Sequence, residues 1–181
     1  WETVQDLNIP VCWHSGSDEL IMLEIYDGYD QATTRAFDSI RRPVSNAIVL
    51  ANFLMSGLPE RHPELKVVFS AAGIDWVPFQ LELSDHEWHS SHLLRDGMEI
   101  KPTDIFQRQC YVTTWMDRAA IDKQRSAIGT HKVMWQSEFP METSTYPRSS
   151  EIISTNFKGV PASERDQILF KNAAELYRIP L

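Results

Sequence analysis

Features that mark several protein classes are scarce or missing in this sequence. Two cysteines among 181 residues do not form a disulfide framework, so we expect a reducing compartment such as the cytoplasm. No apolar run reaches the roughly 18 residues that a membrane-spanning helix needs, so no membrane span is predicted. Basic residues are also few: 17 Lys and Arg stand against 25 Asp and Glu, a formal net charge of −8. This balance argues against nucleic acid or an anionic membrane surface as the main partner, because both bind basic faces.

Glycine-rich phosphate-binding motifs are absent as well. The sequence has only seven glycines, and neither a G-x-G-x-x-G nor a G-x-x-x-x-G-K pattern occurs in it. A flavodoxin-like domain would need a phosphate-binding loop after its first strand, and residues 14–17 (HSGS) are a poor match for one. The expected partner is therefore a small-molecule substrate rather than a bound dinucleotide.

Short apolar segments alternate with helical patterns along the chain. Strands are predicted over 9–14, 66–70, 110–115 and 132–137, where β-branched and aromatic residues are dense. Helices are predicted over 1–7, 43–57, 76–92, 103–108, 117–128, 148–157 and 161–178. Asp75 and Asp117 stand where their side chains can cap the helices that follow them. The polar residues 17–38 are expected to form a long connection with a turn at Asp27-Gly28.

This alternation predicts an α/β fold with parallel strands, because a crossover helix connects each strand to the next. Four such units fit two architectures: a small open doubly wound sheet, or half of an eight-stranded (β/α)8 barrel. Length alone favours the open sheet, since a complete barrel usually needs about 250 residues. In both architectures the chemistry collects at the carboxyl ends of the strands, so the residues found there matter most for function.

Two of the four predicted strand ends carry side chains suited to a divalent metal. His14 ends the first strand, and Glu138 follows the fourth. Imidazole nitrogen and carboxylate oxygen are both zinc ligands, and a carboxylate at this position can instead serve as a general base. Two ligands do not complete a metal site, and each residue taken singly also fits a hydrogen-bonded structural role.

Five segments together resemble one known family. They are 9–16 (IPVCWHSG), 65–78 (LKVVFSAAGIDWVP), 133–140 (VMWQSEFP), 144–147 (STYP) and 172–177 (NAAELY). In this order and at this spacing they are similar to the motifs of the amidohydrolase-2 family, the metal-dependent hydrolases and decarboxylases related to aminocarboxymuconate-semialdehyde decarboxylase. The five segments extend over essentially the whole chain.

The resemblance implies a (β/α)8 barrel of which residues 1–181 supply about the last four βα units, as a single partial domain. It also implies a divalent metal, zinc with manganese as the alternative, held in part by His14 after strand five and by Glu138 after strand eight. The family's metal ligands after strand one have no counterpart in this chain. The sequence departs from the family at three positions: Glu138 replaces an Asp, Ala71 a His or Glu, and Met141 a His.

Period-two alternation orients the other strand side chains once the metal residues are placed. If His14 and Glu138 point into the barrel, Trp13 points outward beneath the helices. The residues expected to point inward with the metal pair are then Cys12, Met134 and Gln136.

Three further residues are candidates for binding substrate. Trp115 after the third strand can wall a pocket, with core packing as the alternative. The resemblance places His86, together with Asp85 and Trp88, at the mouth of the substrate site, and an exposed polar helix face is the alternative. Arg42 at the start of a helix can hold a substrate carboxylate through two parallel N–H groups, with a solvated helix start as the alternative.

Two other groups of residues carry reactive atoms. His86, His89 and His92 lie at a spacing of three on one predicted helix, where such pairs can bind metal, although an exposed polar face fits the same pattern. Cys12 and Cys110 are expected to be buried, reduced strand residues rather than nucleophiles.

The leading functional hypothesis is an enzyme, a metal-dependent hydrolase or decarboxylase acting on a small carboxylate or amide. The metal would act as a Lewis acid, with His14 as a neutral ligand and Glu138 as a ligand or a catalytic base. This chain alone is expected to be inactive, because its ligand set is incomplete. The alternative is a catalytically incompetent half-barrel or degenerate homologue that serves as an assembly module. Because half a barrel has two exposed sheet edges, we expect a homo-oligomer or pairing with the missing N-terminal half.

Overall fold

A four-stranded parallel sheet forms the centre of the molecule. The computed structural model describes residues 1–15, 28–91 and 97–181, with the backbone alone at Asp38. The strands are β1 Val11–His14, β2 Val67–Ser70, β3 Cys110–Thr114 and β4 Val133–Trp135, all of them parallel to their neighbours. The four predicted strands are therefore confirmed, each shorter than the sequence indicates, and β4 has half its predicted length.

The strands stand in chain order, β1-β2-β3-β4. A doubly wound sheet reverses its strand order at one point, so that helices come to cover both of its faces. The order found here contains no reversal, which is the winding of a barrel sheet. The preference for an open doubly wound sheet, which rested on length alone, is therefore not supported.

The two faces of the sheet differ in their chemistry. One face joins the main hydrophobic cluster beneath the helices through Val67, Phe69, Cys110, Val112 and Val133, with Val11, Trp13 and Trp135 packed against that cluster. The predicted outward packing of Trp13 is confirmed, since its ring stacks on Phe69 with the centroids 6.2 Å apart. The alternate strand positions form the other face, which is mixed: it includes Cys12, His14, Val68, Ser70, Thr113, Met134 and Gln136, so Met134 and Gln136 lie on the face where they were predicted.

Helices connect and flank the strands. They are α1 Glu2–Asp6, α2 Gln31–Ile40, α3 Arg42–Met55, α4 Leu58–Arg61, α5 Val77–Ser90, α6 Pro102–Gln109, α7 Arg118–Lys123, α8 Arg125–Ile128, α9 Ser149–Asn156, α10 Ala162–Asp166 and α11 Asn172–Tyr177. A 3₁₀ turn at Thr130–Lys132 leads into β4, and a π-helical turn at Gln167–Lys171 joins α10 to α11. In the part of the chain that the structure describes, no helix is both long and apolar enough to cross a membrane.

Two of these helices, α2 and α4, are absent from the sequence prediction. The prediction has 17–38 as a polar connection, whereas α2 occupies its second half. The Asp30 carboxylate caps α2 by accepting a hydrogen bond from the Thr33 backbone N–H at 2.8 Å, and this bond lowers the pKa of Asp30. Residues 16–27, with Asp27 of the predicted turn, lie outside the described residues. The predicted helix 117–128 is divided into α7 and α8.

The two aspartates predicted to cap helices do not do so. α5 begins after Trp76 without a capping side chain, so Asp75 has no such role. Asp117 stands at the N-cap position of α7, but its carboxylate makes no capping bond. It accepts instead from the backbone N–H groups of Ile74 at 2.8 Å and Trp115 at 3.0 Å. These donors bind the carboxylate because the loop after β2 lies beside the loop after β3.

Candidate functional site

His14 is the last residue of β1 and lies on the mixed face of the sheet. Its Nδ1 atom is 2.7 Å from the carbonyl oxygen of Ser15, a contact in which Nδ1–H donates. In that tautomer Nε2 carries no proton and offers its lone pair, which is the arrangement that metal-binding histidines adopt. The buried Ser15 fixes this turn, because its hydroxyl donates to the carbonyl oxygen of Ala71 and its backbone N–H to that of Ser70.

Glu138 follows β4 in the loop that leaves the sheet. Its side chain is 3% exposed, and its backbone has a φ of +62°, a left-handed conformation that is uncommon for a residue other than glycine. Arg42 Nη1 donates to Oε2 at 3.0 Å, and the Gln136 side-chain amide donates to Oε1. The carboxylate is therefore buried with both oxygens bound.

The structure brings the two predicted metal residues together. His14 Nε2 lies 3.8 Å from Glu138 Oε1 across the open end of the sheet, although 124 positions separate them. A metal that binds nitrogen and oxygen at about 2.1 Å can touch both atoms, since twice that distance is about 4.2 Å. The pair therefore fits a divalent cation as two of its ligands.

The described residues do not complete this set of ligands. Among them, no group of three or more His, Cys, Asp or Glu side chains is close enough to hold a metal ion. At the end of β2 the small side chain of Ala71 is fully buried, with a backbone φ of +62°. Its backbone N–H donates to Thr113 Oγ1 at 3.2 Å, so this position supports the loop and offers no ligand. Further ligands would have to come from outside the described residues.

Arg42, the first residue of α3, contacts the metal pair directly. The prediction has it binding a substrate carboxylate, and the carboxylate that it binds in the structure is that of Glu138. Its side chain is 12% exposed, and Nη1 also reaches Thr143 Oγ1 at 3.4 Å. Arg42 also lines a cavity of about 640 Å³, together with Ala32, Arg35, Ala36, Ser39, Pro140, Met141, Glu142 and Thr143.

Trp115 follows β3 and is 94% buried, since its exposed fraction is 6%. It lines a second cavity of about 340 Å³ whose walls include Ile40, Pro43, Trp76 and Met116. The two alternatives for Trp115 were core packing and a pocket wall, and the residue is both buried and part of a cavity wall. Asp75 lines the same cavity, and burial together with the nearby Asp117 carboxylate raises the pKa of Asp75.

His86 is not brought to this site. It is exposed on α5, which starts after the end of β2 and must run back along the sheet because β3 is parallel to β2. Nine residues after Val77, it lies about 13 Å along the helix axis from the helix start. It is therefore near the edge of the sheet where the strands begin, opposite to His14 and Glu138. His92, the third histidine of that run, lies outside the described residues.

The neighbours of His86 have structural partners instead. Asp85 accepts hydrogen bonds from the Thr103 backbone N–H at 2.9 Å and from its hydroxyl at 2.7 Å. Trp88 Nε1 donates to the carbonyl oxygen of Met98 at 3.1 Å. These contacts join α5 to the start of α6 and give both residues a role in packing.

The two cysteines differ in environment. Cys110 is fully buried, as predicted, and burial raises the pKa of its thiol well above the ordinary value. Cys12 was expected to be buried and is exposed, because it points to the open, mixed face of the sheet. Its sulfur lies 3.2 Å from the hydroxyl of Tyr177 on α11.

The side chains that bind Glu138, Arg42 and Gln136, were not predicted for that role, and neither was the contact of Thr143 with Arg42. Gln136 was placed on the inward face, and alternation along β4 could have indicated that it shares that face with the residue two positions later. Thr143 carries no sequence signal, because it meets Arg42 only through the folded loop after β4.

The chain matches the model of the amidohydrolase family Amidohydro_2 over residues 1–179. It is 25% identical over 188 residues to the gamma-resorcylate decarboxylase of a Polaromonas species, covering 99% of this chain and 53% of that protein. Its fold is similar to that of 5-carboxyvanillate decarboxylase from Sphingomonas paucimobilis, with a TM-score of 0.78 and 21% identity, covering 99% of this chain and 52% of the other.

A second solved structure is also similar in fold to this chain. It is the dihydroxybenzoic acid decarboxylase of Polaromonas sp. JS666, with bound manganese and the inhibitor 2-nitroresorcinol; the TM-score is 0.73 and the identity 19%, covering 99% of this chain and 52% of that one. The chain thus spans about half the length of the relatives that it matches. Since the family model covers nearly every residue, this chain belongs to the amidohydrolase-2 family.

Proposed function

We propose that this chain is the C-terminal half of a (β/α)8 barrel that acts as a metal-dependent decarboxylase of small aromatic carboxylic acids. The single observation that carries the proposal is the approach of His14 Nε2 to Glu138 Oε1 at 3.8 Å in a chain of this family. Support for decarboxylation over hydrolysis comes from the relatives, which are named as decarboxylases of aromatic acids.

The half-barrel assignment is supported by the winding of the sheet and by length. The strands run in chain order, and the chain covers 52–53% of the relatives. In this arrangement β1 and β4 would each pair with a strand of the other half, which removes both exposed edges. The other half of the barrel would then also supply the remaining metal ligands.

His14 and Glu138 would hold the metal in this enzyme. Manganese, seen in one of the related structures, and zinc are both compatible with a nitrogen and an oxygen ligand. When bound, a divalent cation supplies Lewis-acid chemistry, which withdraws electrons from a substrate oxygen. The hydrogen bond from His14 Nδ1–H to the carbonyl oxygen of Ser15 would orient the ring toward the metal, and the bonds to Glu138 would keep that carboxylate in place.

The remaining residues of the site would bind and shield the substrate. In decarboxylation the bond between the ring carbon and the carboxylate breaks, CO2 leaves and a proton takes its place on the ring. Among the described residues, Arg42 makes all its side-chain hydrogen bonds through Nη1, so Nε and Nη2 remain for a substrate carboxylate at the 640 Å³ cavity. Trp115 and Trp76 line the second cavity, which shares Ser39 with the first, and would offer flat apolar walls that fit an aromatic ring there.

The test uses the protein at its native length, stripped of metal and reloaded with Mn²⁺ or Zn²⁺. Gamma-resorcylate and 5-carboxyvanillate serve as probe substrates, with CO2 release and bound metal measured together. We expect metal-dependent CO2 release, and loss of at least about 100-fold in both metal affinity and rate in His14→Ala, because a ligand is removed. His86→Ala is the matched control and should keep both.

Two results would contradict the proposal. Wild-type metal content in a folded His14→Ala protein would remove the ligand assignment. Hydrolysis of amide or ester analogues without CO2 release from any carboxylic acid would assign the hydrolase reaction instead.

A further inference from the structure

The two carboxylate oxygens of Glu138 have different partners. Its Oε2 atom is bound by Arg42 Nη1 at 3.0 Å. Its Oε1 atom accepts from the Gln136 amide and faces His14 Nε2 at 3.8 Å. Because the side chain is almost fully buried, the carboxylate cannot exchange these partners for water. Only Oε1 is therefore directed at the point where a metal would sit.

Contacts on two elements hold Arg42 in the position in which it binds Oε2. It opens α3, and Pro43 follows it in the first turn, which restricts the backbone there. Its guanidinium crosses from α3 to the loop after β4, where Nη1 also lies 3.4 Å from Thr143 Oγ1. A planar, always charged guanidinium with fixed N–H directions orients a carboxylate more strictly than a lysine does.

We propose that Arg42 is a positioning residue that restricts Glu138 to binding a metal through Oε1 alone. The guanidinium occupies the second oxygen and so prevents the carboxylate from turning both oxygens to the cation. Glu138 would thus be a one-oxygen ligand whose direction is set from α3. This inference rests on the proposed function in one respect, that Glu138 is a metal ligand.

A second arginine of the same cavity provides a matched comparison. Arg35 on α2 lines the 640 Å³ cavity and pairs with Glu142 through Nη1 at 3.1 Å. Both members of that pair are largely exposed, and neither contacts Glu138 in the described residues. Replacing Arg35 removes the same charge from the same cavity without touching the metal pair.

The experiment loads the native-length protein with Co²⁺ alone and records its visible absorption, which reports the number and geometry of ligands. Variants are Arg42→Met, Arg42→Lys and Arg35→Met, each checked for folding by circular dichroism. We expect a shift of the Co²⁺ bands or loss of bound Co²⁺ in Arg42→Met, and a wild-type spectrum in Arg35→Met. Arg42→Lys should give bands closer to those of wild type than Arg42→Met does, because its ammonium keeps a cation at Oε2 but lacks the fixed N–H directions of arginine.

A folded Arg42→Met protein with the wild-type Co²⁺ spectrum would overturn this inference. If Arg42→Met does not fold, Arg42→Gln takes its place, with the same two outcomes. His14→Ala separates the two proposals: if it leaves Co²⁺ binding unchanged, the proposed function fails. If it abolishes Co²⁺ binding while the Arg42 spectrum is unaltered, only the positioning role fails.

Discussion

Replacing Arg42 with methionine is expected to destabilise the protein by about 3–5 kcal/mol, because the Glu138 carboxylate is left buried without its cation. Methionine keeps most of the length and the apolar stem of arginine, so the change removes mainly the charge. The two side chains are 12% and 3% exposed, and their charged atoms are 3.0 Å apart. At an effective dielectric constant of about 20, charges about 4 Å apart attract by about 4 kcal/mol, in agreement with that range.

Arg35→Met is the control variant, because it removes an arginine from an exposed ion pair instead of a buried one. The Arg35–Glu142 contact is of nearly equal length, 3.1 Å, but its side chains are 56% and 82% exposed. Exposed pairs contribute about 0–1 kcal/mol, because water screens the charges and both side chains lose freedom on pairing. The same chemical substitution should therefore differ by at least about 2 kcal/mol between the two sites.

Urea unfolding followed by circular dichroism measures the difference at equal protein and metal concentrations. For a protein of this size each kcal/mol lowers Tm by about 2–4 °C, so Arg42→Met should melt about 6–20 °C below wild type. The double variant Arg42→Met/Glu138→Gln should lose less than the sum of its single variants, because both charges are gone. An Arg42→Met protein no less stable than Arg35→Met would refute the reasoning.

Three further perturbations test other parts of the structure. Asp117→Ala should cost about 3 kcal/mol or more in urea unfolding, since its carboxylate accepts from the Thr114 hydroxyl as well as from the backbone N–H groups of Ile74 and Trp115. Asp122→Ala on the exposed face of α7 should change little. In the native protein, alkylation by iodoacetamide should leave Cys110 unmodified until unfolding, because burial keeps its thiol protonated and shielded. The stability of wild type relative to Lys132→Met should rise as the pH is raised toward about 10.5, the ordinary pKa of lysine, because burial lowers the pKa of Lys132 and the unfolded chain holds that proton more tightly. A flat difference as the pH is raised would contradict the burial of this amine.

The local sequence pattern was sufficient to predict the four strands and which of their side chains lie on each face of the sheet. Dense β-branched and aromatic residues marked each strand, and alternation placed Trp13 beneath the helices and His14 on the opposite face, as found. The helix α2 was missed although Asp30 and Thr33 carry a capping signal, because its sequence has few apolar residues.

Side-chain partners were less predictable than elements. Asp117 stands in the sequence where a helix cap belongs, and by local rules alone it should cap α7. Its carboxylate turns instead to Ile74 N, 43 residues earlier, because the neighbouring loop offers a closer set of donors. Local sequence rules cannot predict this partner, because the Ile74 N–H lies beside Asp117 only once the two loops have folded next to each other.

The sequence by itself determined which residues end the strands and thereby named His14 and Glu138 as a candidate pair. Only the tertiary structure decided that their facing atoms lie 3.8 Å apart and that Arg42 binds the carboxylate. Arg42 and Glu138 are 96 positions apart, on a helix start and a loop that no local rule connects. They meet because parallel strands bring all their carboxyl ends to one edge, where the buried carboxylate requires a cation and the first turn of α3 holds one within reach.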